Sequence, residues 1–351
     1  MSADLDLEGR YRRVLRLLPG YYRDKWEEDM VAAFLDSWLT GDPYTDKCVI
    51  EFCRPTWPEV ASVVGLAARL YLGGAAAPRR YFAWGQAIRY AVLAVTLVQA
   101  VRGLEVLVLT AWSRHAFSWL PAPPAGLVLA TPSGALPPTV WYLVAYAWIV
   151  AFLTLALRYY RTAQAIAALA IVPDLVTLLQ GQFTGRLPAP YIGPWAFFFL
   201  LNLAPVLAMT AFHQDAPQAP RWPWLLALPA NYFLVVVPLL ALDLNGNSAW
   251  VPDFPGLYCI LVSVACLVYV PRIWARRGAA SGVWSLALTL LAADAGAYRL
   301  FSIADYLRDP HLIDVGLAEL LILVVAVALV VPDAARAQAA TPAPPPFPQL
   351  G

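Results

Sequence analysis

Five ionisable residues stand inside long apolar stretches, where a charged group has few partners. Arg102 and Glu105 lie in the first stretch, Asp174 in the third, Asp294 in the seventh and Glu319 in the eighth. An ionised side chain in hydrocarbon costs several kcal/mol unless it is paired or hydrated, so such residues mark sites of function or of specific packing. Grouped carboxylates with one guanidinium could bind a cation or a small polar ligand, or relay protons.

The depth of these residues can be estimated from the rise of about 1.5 Å per helical residue. Glu105 lies roughly 10 Å inward from Trp112, and Asp294 and Glu319 come to a similar level in their own helices. Arg102 lies one turn deeper, and Asp174 lies near the middle of the bilayer. We therefore predict a polar cavity in the outer half of the membrane around Arg102, Glu105, Asp294 and Glu319. The alternative is an ion-pair cluster that only fixes helix packing, with Asp314 and Arg299 at the interface.

The elements that position these residues are predicted to be membrane helices. The chain is 60% hydrophobic and 13% charged, which is more apolar surface than a soluble core of 351 residues can bury. A bilayer crossing needs about 20 apolar residues. Eight stretches approach this length, so we predict an all-α bundle of about eight spans: 90–112, 139–157, 163–183, 193–212, 224–243, 256–271, 281–301 and 313–332. In the first span, Arg102 and Glu105 are three residues apart and can pair on one helix face.

Arginines between the predicted spans indicate the orientation. They concentrate in the loops that would be cytoplasmic if both termini are inside, as the positive-inside rule requires: Arg158, Arg161, Arg221, Arg272, Arg276 and Arg277. The first residues form no secretory signal, since they are acidic and then basic without an apolar core. We predict a multi-pass protein of the plasma membrane with cytoplasmic termini. The strong preference for Arg over Lys is typical of a GC-rich bacterium.

Residues 1–80 are polar and are predicted to form a cytoplasmic module of three short helices. An amphipathic helix with an Arg-rich side (Arg10, Arg12, Arg13 and Arg16) ends at Pro19-Gly20, and a second helix ends at Gly41-Asp42-Pro43. The third begins at Thr56, whose hydroxyl can form a capping box with Glu59. The arginines could contact anionic headgroups or a protein partner, or they could form a solvated face packed on its neighbours.

The run RYRRVLRLLPGYYRDKWEEDMVAAFLDSW resembles the short helical prefix that precedes the spans of many actinobacterial membrane proteins and some permeases. The resemblance covers roughly residues 8–72. It implies a cytoplasmic docking or signalling module attached to a membrane domain, and it carries no catalytic residues.

Several functional classes are disfavoured by the sequence. The first 80 residues hold 12 acidic and 11 basic side chains, a balance that argues against nucleic-acid binding. The chain has no His-Glu-x-x-His, Gly-x-Ser-x-Gly or phosphate-binding glycine loop, and its four cysteines lack zinc-site spacing. We therefore expect no catalytic residues, no metal and no cofactor.

The leading functional hypothesis is a non-enzymatic signalling, regulatory or scaffold component that contacts a cytoplasmic protein through residues 1–80. The alternative is a secondary transporter or permease-like subunit that uses the polar cavity. Residues 333–351, rich in Pro and Ala, are predicted to be a disordered cytoplasmic tail. The lipid bilayer is the one partner that the composition itself indicates, and the oligomeric state is not indicated.

Overall fold

The computed structural model describes residues 6–39, 41–73, 78–118, 136–184, 189–212, 219–244, 253–275, 282–305 and 310–339. Within these ranges every regular element is a helix, and there is no strand. The chain divides into two compact units. Residues 1–85 belong to the first, and the second begins at Gln86.

The first unit contains four helices before residue 72, not the three that the sequence predicted: α1 (Leu7–Leu15), α2 (Gly20–Trp38), α3 (Pro43–Phe52) and α4 (Trp57–Tyr71). The additional helix is α3. The Asp42 carboxylate caps its first turn by accepting from the Tyr44 and Thr45 amides, and Pro43 suits its first position. No residue of α3 is fully buried, so the apolar periodicity that reveals the other helices is weak here.

An apolar core holds the first unit together. Leu7, Leu15 and Leu18 are almost fully buried, and the ring of Tyr11 stacks on Phe34 with centroids 3.9 Å apart. The predicted capping box at Thr56 and Glu59 is confirmed, with the Thr56 amide donating to the Glu59 carboxylate at 2.6 Å. The boundary between module and membrane domain predicted at residue 80 stays a prediction.

The second unit is built from α5 to α15. Their bounds are α5 (Arg79–Ser113, whose first residues belong to the first unit), α6 (Pro138–Ala156), α7 (Tyr160–Ala170), α8 (Val172–Thr184), α9 (Ala189–Ala208), α10 (Arg221–Asn231), α11 (Val237–Leu244), α12 (Phe254–Ala275), α13 (Gly282–Asp305), α14 (Pro310–Ala328) and α15 (Val331–Ala339).

Three of the predicted spans are interrupted helices. A turn at Ile171, just before Pro173, separates α7 from α8. A π-helical turn, Tyr232–Val236, joins α10 to α11. Turn residues Leu329 and Val330 separate α14 from α15. Prolines account for the first two interruptions, because a proline cannot donate the backbone bond that continues the α-helical pattern.

Seven helical stretches are long and apolar enough to cross a bilayer: 80–113, 138–156, 160–183, 221–242, 254–275, 282–303 and 313–336. Their mean hydropathy lies between 1.3 and 2.7, and many outward side chains are large and apolar, such as Leu143, Leu234 and Leu321. The chain is thus an all-α, multi-pass membrane helix bundle. The stretch predicted as span 193–212 contains a shorter apolar helix, Trp195–Ala211, so the count of eight spans stays a prediction.

The tail was predicted incorrectly at its start. Residues 333–339 are helical, because α15 packs on α13 and the Ser285 hydroxyl donates to the Asp333 carboxylate at 2.5 Å. Residues 340–351 lie outside the described residues. The low apolar content of this segment hid the helix, since most of its positions are Ala, Asp, Arg and Gln.

Candidate functional site

A polar cleft opens beside the middle of α5, and we call it the Arg102 cleft. Its polar lining comes from Arg102, Glu105, Asn231 and Tyr258, and the Phe254 ring with Leu and Val side chains forms the apolar remainder. The cavity measures about 60 Å³, whereas about 10–15 Å³ already holds one water molecule. Two of the predicted site residues therefore line the same cavity, one helical turn apart.

Arg102 and Glu105 do not pair with each other, although the sequence predicted that they could. Among the described residues, no carboxylate lies within 4.0 Å of the Arg102 guanidinium. The guanidinium instead lies over the Phe254 ring, with its carbon 4.6 Å from the ring centroid. This cation–π contact stabilises the guanidinium without neutralising it. Both charges of the cleft are thus available to a bound molecule.

The π-helical turn forms one wall of the cleft. Asn231, Val235 and Val236 line it, and the Val237 amide bonds to the Tyr232 carbonyl five residues earlier. Pro238 has no amide hydrogen for the Leu234 carbonyl, which favours this wider turn. The Asn231 side-chain amide donates to the Ala227 carbonyl at 2.8 Å, an arrangement that holds this side chain in place.

Asp294 belongs to a polar hydrogen-bond network next to the cleft. Tyr258 lines the cleft, and its hydroxyl donates to the Asp294 carboxylate at 2.8 Å. One turn along α13, the Tyr298 hydroxyl donates to the Asn202 side-chain oxygen at 2.6 Å. The Gln99 amide reaches both Asn202 and Tyr298 at 3.4 Å. These bonds link α5, α9, α12 and α13, and the sequence prediction missed Gln99, Asn202 and both tyrosines as network members.

Asp174 is a buried carboxylate near the same network. It is 8% exposed and lies in the first turn of α8, where the helix dipole favours a negative charge. Arg102 acts electrostatically on both Asp174 and Glu105, and Tyr298 experiences Arg102, Asp174 and Asp294. Four of the five predicted residues therefore share one neighbourhood, with one base against three acids.

The fifth residue, Glu319, lies in a separate cluster. Its carboxylate is 2.6 Å from one terminal nitrogen of Arg299, whose other terminal nitrogen is 2.7 Å from Asp253. The Ser302 hydroxyl completes the cluster at 3.1 Å from Arg299. The Arg299 side chain is 3% exposed, so it is buried among the helices, and its predicted level at the membrane interface stays a prediction.

Two glycines make room for this cluster. A Cβ on Gly256 would lie 2.5 and 2.7 Å from the Glu319 carboxylate oxygens, and one on Gly316 would lie 3.1 Å from the Arg299 Nε atom. Real Cβ atoms essentially never make contacts under 3.0 Å, so a side chain at Gly256 would displace the carboxylate, and one at Gly316 would also meet Ile303 at 2.7 Å. The ion pairs and the close helix packing therefore depend on each other.

The Arg-rich side of α1 is partly occupied within the first unit. Arg10 donates to the backbone carbonyls of Cys53 at 2.6 Å and Glu51 at 3.0 Å, which hold the C-terminal end of α3. Arg12 pairs with Glu8, Glu27 and Glu28. Arg13 and Arg16 are exposed. Of the four predicted surface residues, these two are the ones whose side chains extend into solvent.

Comparison with known proteins adds no further assignment. No protein-family model, no curated protein and no solved structure matches this chain. Within the described part of the chain, no group of three or more His, Cys, Asp and Glu side chains could hold a metal ion.

Proposed function

We propose that this protein is a multi-pass protein of a bacterial plasma membrane, with both termini cytoplasmic, that binds a small organic cation in the Arg102 cleft. A transporter or permease-like role is the one that this cleft supports best. The observation that carries the proposal is the presence of two opposite charges, not paired with each other, in one cleft that is otherwise lined mainly by apolar side chains.

The sign of the ligand follows from the charges around the cleft. Glu105, Asp174 and Asp294 supply three acidic groups, whereas Arg102 supplies one basic group. Electrostatic interactions are weakly screened in a medium of low dielectric constant, so this excess favours a bound cation. The Tyr258 ring and the Asn231 side chain add surfaces that suit an organic ammonium group.

The interrupted helix beside the cleft supports transport over simple binding. Transporters place their substrate sites at breaks in membrane helices, where irregular backbone can line a cavity. The π-helical turn Tyr232–Val236 is such a break, and it meets the cleft. The signalling role predicted for residues 1–80 stays a separate prediction, because it depends on a partner protein.

Thermal unfolding of the purified protein in nanodiscs tests the proposal. A ligand that binds only the folded state raises the unfolding temperature by an amount that grows with the logarithm of its concentration above the dissociation constant. Methylammonium, tetramethylammonium and choline are compared with the neutral probe glycerol and the anionic probe isethionate. We expect at least one cation to raise the unfolding temperature, and we expect Glu105→Gln to abolish that rise.

The matched control is Glu319→Gln, because Glu319 lies outside the cleft. This variant lowers the baseline stability but keeps the cation-dependent rise. Stabilisation by isethionate instead of the cations, or a cation effect that persists in Glu105→Gln, would contradict the proposal.

A further inference from the structure

The outward side of α3 and the start of α4 carry exposed aromatic residues that the membrane domain does not explain. Tyr44 is 82% exposed, Phe52 76% and Trp57 85%. Tyr44, Lys47, Cys48 and Phe52 recur at three- and four-residue spacing, so they share one side of α3. We call Tyr44, Lys47, Cys48, Phe52 and Trp57 the α3 face.

This exposure does not come from a loosely attached helix. The Arg10 guanidinium binds the carbonyls of Glu51 and Cys53, and Val49 and Cys53 pack against the core of the first unit. Asp42 caps the opposite end. A helix of ten residues is not stable alone in water, so these contacts define which side points inward. The aromatic side chains are therefore displayed by a fixed helix.

We propose that the α3 face rests in the headgroup region of the bilayer that holds the same chain. Tyr and Trp prefer this region because one part of each ring is apolar and another part is polar. Lys47 is exposed on the face and Arg54 is exposed just beyond it, and both suit anionic headgroups. Glu51 is exposed along the same side, so the aromatic rings supply the main attraction and the two basic residues add to it.

The position of the face in the chain favours this occupant. The first unit includes the start of the first membrane stretch, since the unit runs to residue 85 and the stretch begins at residue 80. Within this unit the Tyr71 ring, at the end of α4, lies 5.6 Å from the Tyr81 ring of α5. The attachment to a membrane helix gives the face a high effective concentration at the membrane surface, and weak insertion is then sufficient for stable contact. A free protein partner has no such advantage.

Spin labelling of the full chain in nanodiscs tests the proposal. With Cys53→Ser, Cys48 is the exposed thiol of the described residues, since Cys259 and Cys266 are buried. The accessibility of the spin label is measured from its collision rates with a water-soluble nickel chelate, which reports exposure to water, and with oxygen, which reports exposure to lipid. The matched control carries Cys48→Ser and Asp36→Cys, which moves the label to an exposed position of α2.

We expect nickel collisions at Cys48 to be several-fold fewer than at position 36 in phosphatidylcholine nanodiscs, and fewer still when phosphatidylglycerol is added. The triple variant Tyr44→Ser, Phe52→Ser, Trp57→Ser restores them, and Lys47→Glu removes only the phosphatidylglycerol effect. Equal collisions at the two positions would overturn the proposal. Shielding that persists in detergent micelles and rises with protein concentration would also overturn it, because a second copy would then cover the face.

Discussion

Arg299 and Glu319 form an ion pair of 2.6 Å between α13 and α14, and Asp253 contacts the same guanidinium from the start of α12. The protein therefore contains two different arrangements of intramembrane charge. In the Arg299 cluster, the guanidinium contacts both carboxylates directly and so connects neighbouring helices. The charges of the Arg102 cleft are not paired with each other, which is the arrangement expected of a binding site.

The first prediction concerns the stability of the Arg299 cluster. Glu319→Gln removes one charge partner of a buried guanidinium, and breaking such a pair costs about 3–5 kcal/mol of unfolding free energy. Because Asp253 remains, we expect a loss of about 3 kcal/mol, at the lower end of this range. Thermal unfolding in nanodiscs measures the change. Glu105→Gln is the control and is expected to cost less, since Glu105 has no ion pair among the described residues. Equal losses in the two variants would contradict the distinction between cluster and cleft.

The second prediction concerns Gly256. In Gly256→Ala the new Cβ would meet the Glu319 carboxylate at 2.5 and 2.7 Å, so either the carboxylate or α12 must move. Overpacking of this kind costs about 1–3 kcal/mol, and here it also strains the ion pair. Gly193→Ala in α9 is the matched control, because nothing lies within 4 Å of its Cβ position. The control should be neutral or slightly stabilising, as alanine favours helices. An equally stable Gly256→Ala protein would mean that Glu319 does not occupy this position.

The sequence was sufficient to predict the membrane helices, because the length and hydropathy of a stretch determine whether it can cross a bilayer. It also grouped Arg102, Glu105 and Asp294 by their depth, since residues at similar levels can meet when their helices are neighbours, and these three share one neighbourhood. The same depth argument placed Asp174 apart from them, near the middle of the bilayer.

The rotation of each helix about its axis could not be predicted from depth. Asp294 and Arg299 lie five residues apart on α13, and they face different partners: Tyr258 and Glu319 respectively. Glu319 was therefore assigned to the cavity by its level, although its helix turns it towards Arg299. The same limit explains why Asn202 and Gln99 were not recognised as network members, since hydropathy alone does not distinguish a buried amide contact from a tolerated polar residue.

The third prediction concerns pH and the first unit. Burial raises the pKa of Glu59, but the hydrogen bonds from Thr56 and from the Trp38 indole outweigh it, so the net pKa lies below the ordinary 4.5. A lowered folded-state pKa contributes stability that is present above the unfolded value and is lost as pH falls through the folded value. We expect Glu59→Gln to destabilise the first unit at pH 7 but not below the lowered pKa.

Hydrogen exchange of the α4 amides at several pH values measures this difference. Asp36→Asn is the control, because Asp36 is exposed on α2 and makes no side-chain hydrogen bond or ion pair with the other described residues. A gap between wild type and Glu59→Gln that stays constant into the acidic range would contradict the prediction.

The fourth prediction follows from counting membrane crossings. Seven helical stretches are long enough to cross the bilayer, and α9 holds a shorter apolar one. If α9 also crosses, there are eight crossings and both termini lie on one side. If it does not, there are seven and the termini lie on opposite sides. We expect eight, with both termini cytoplasmic. Membrane-impermeant maleimide labelling of Asp36→Cys and of Gly351→Cys, each in a Cys48→Ser, Cys53→Ser background, measures the side of each terminus. Protection of both in intact cells is the expected result, and labelling of the C-terminal thiol from outside would show that α9 does not cross.

The most direct test of the Arg102 cleft requires no knowledge of its ligand. Asn231→Cys places a thiol in the cleft lining, in a background with Cys48→Ser and Cys53→Ser. Its reaction rates with a cationic and an anionic methanethiosulfonate reagent are each divided by the rates at the solvent-exposed Asp36→Cys. Val268→Cys, at an exposed apolar position of α12, is the lipid-facing control.

We expect the cleft thiol to react with both reagents faster than the Val268→Cys thiol and to prefer the cationic reagent, with that preference lost when Glu105→Gln is added. A cleft thiol as unreactive as the lipid-facing one, or a preference for the anionic reagent, would contradict a cation-binding cleft in this membrane domain.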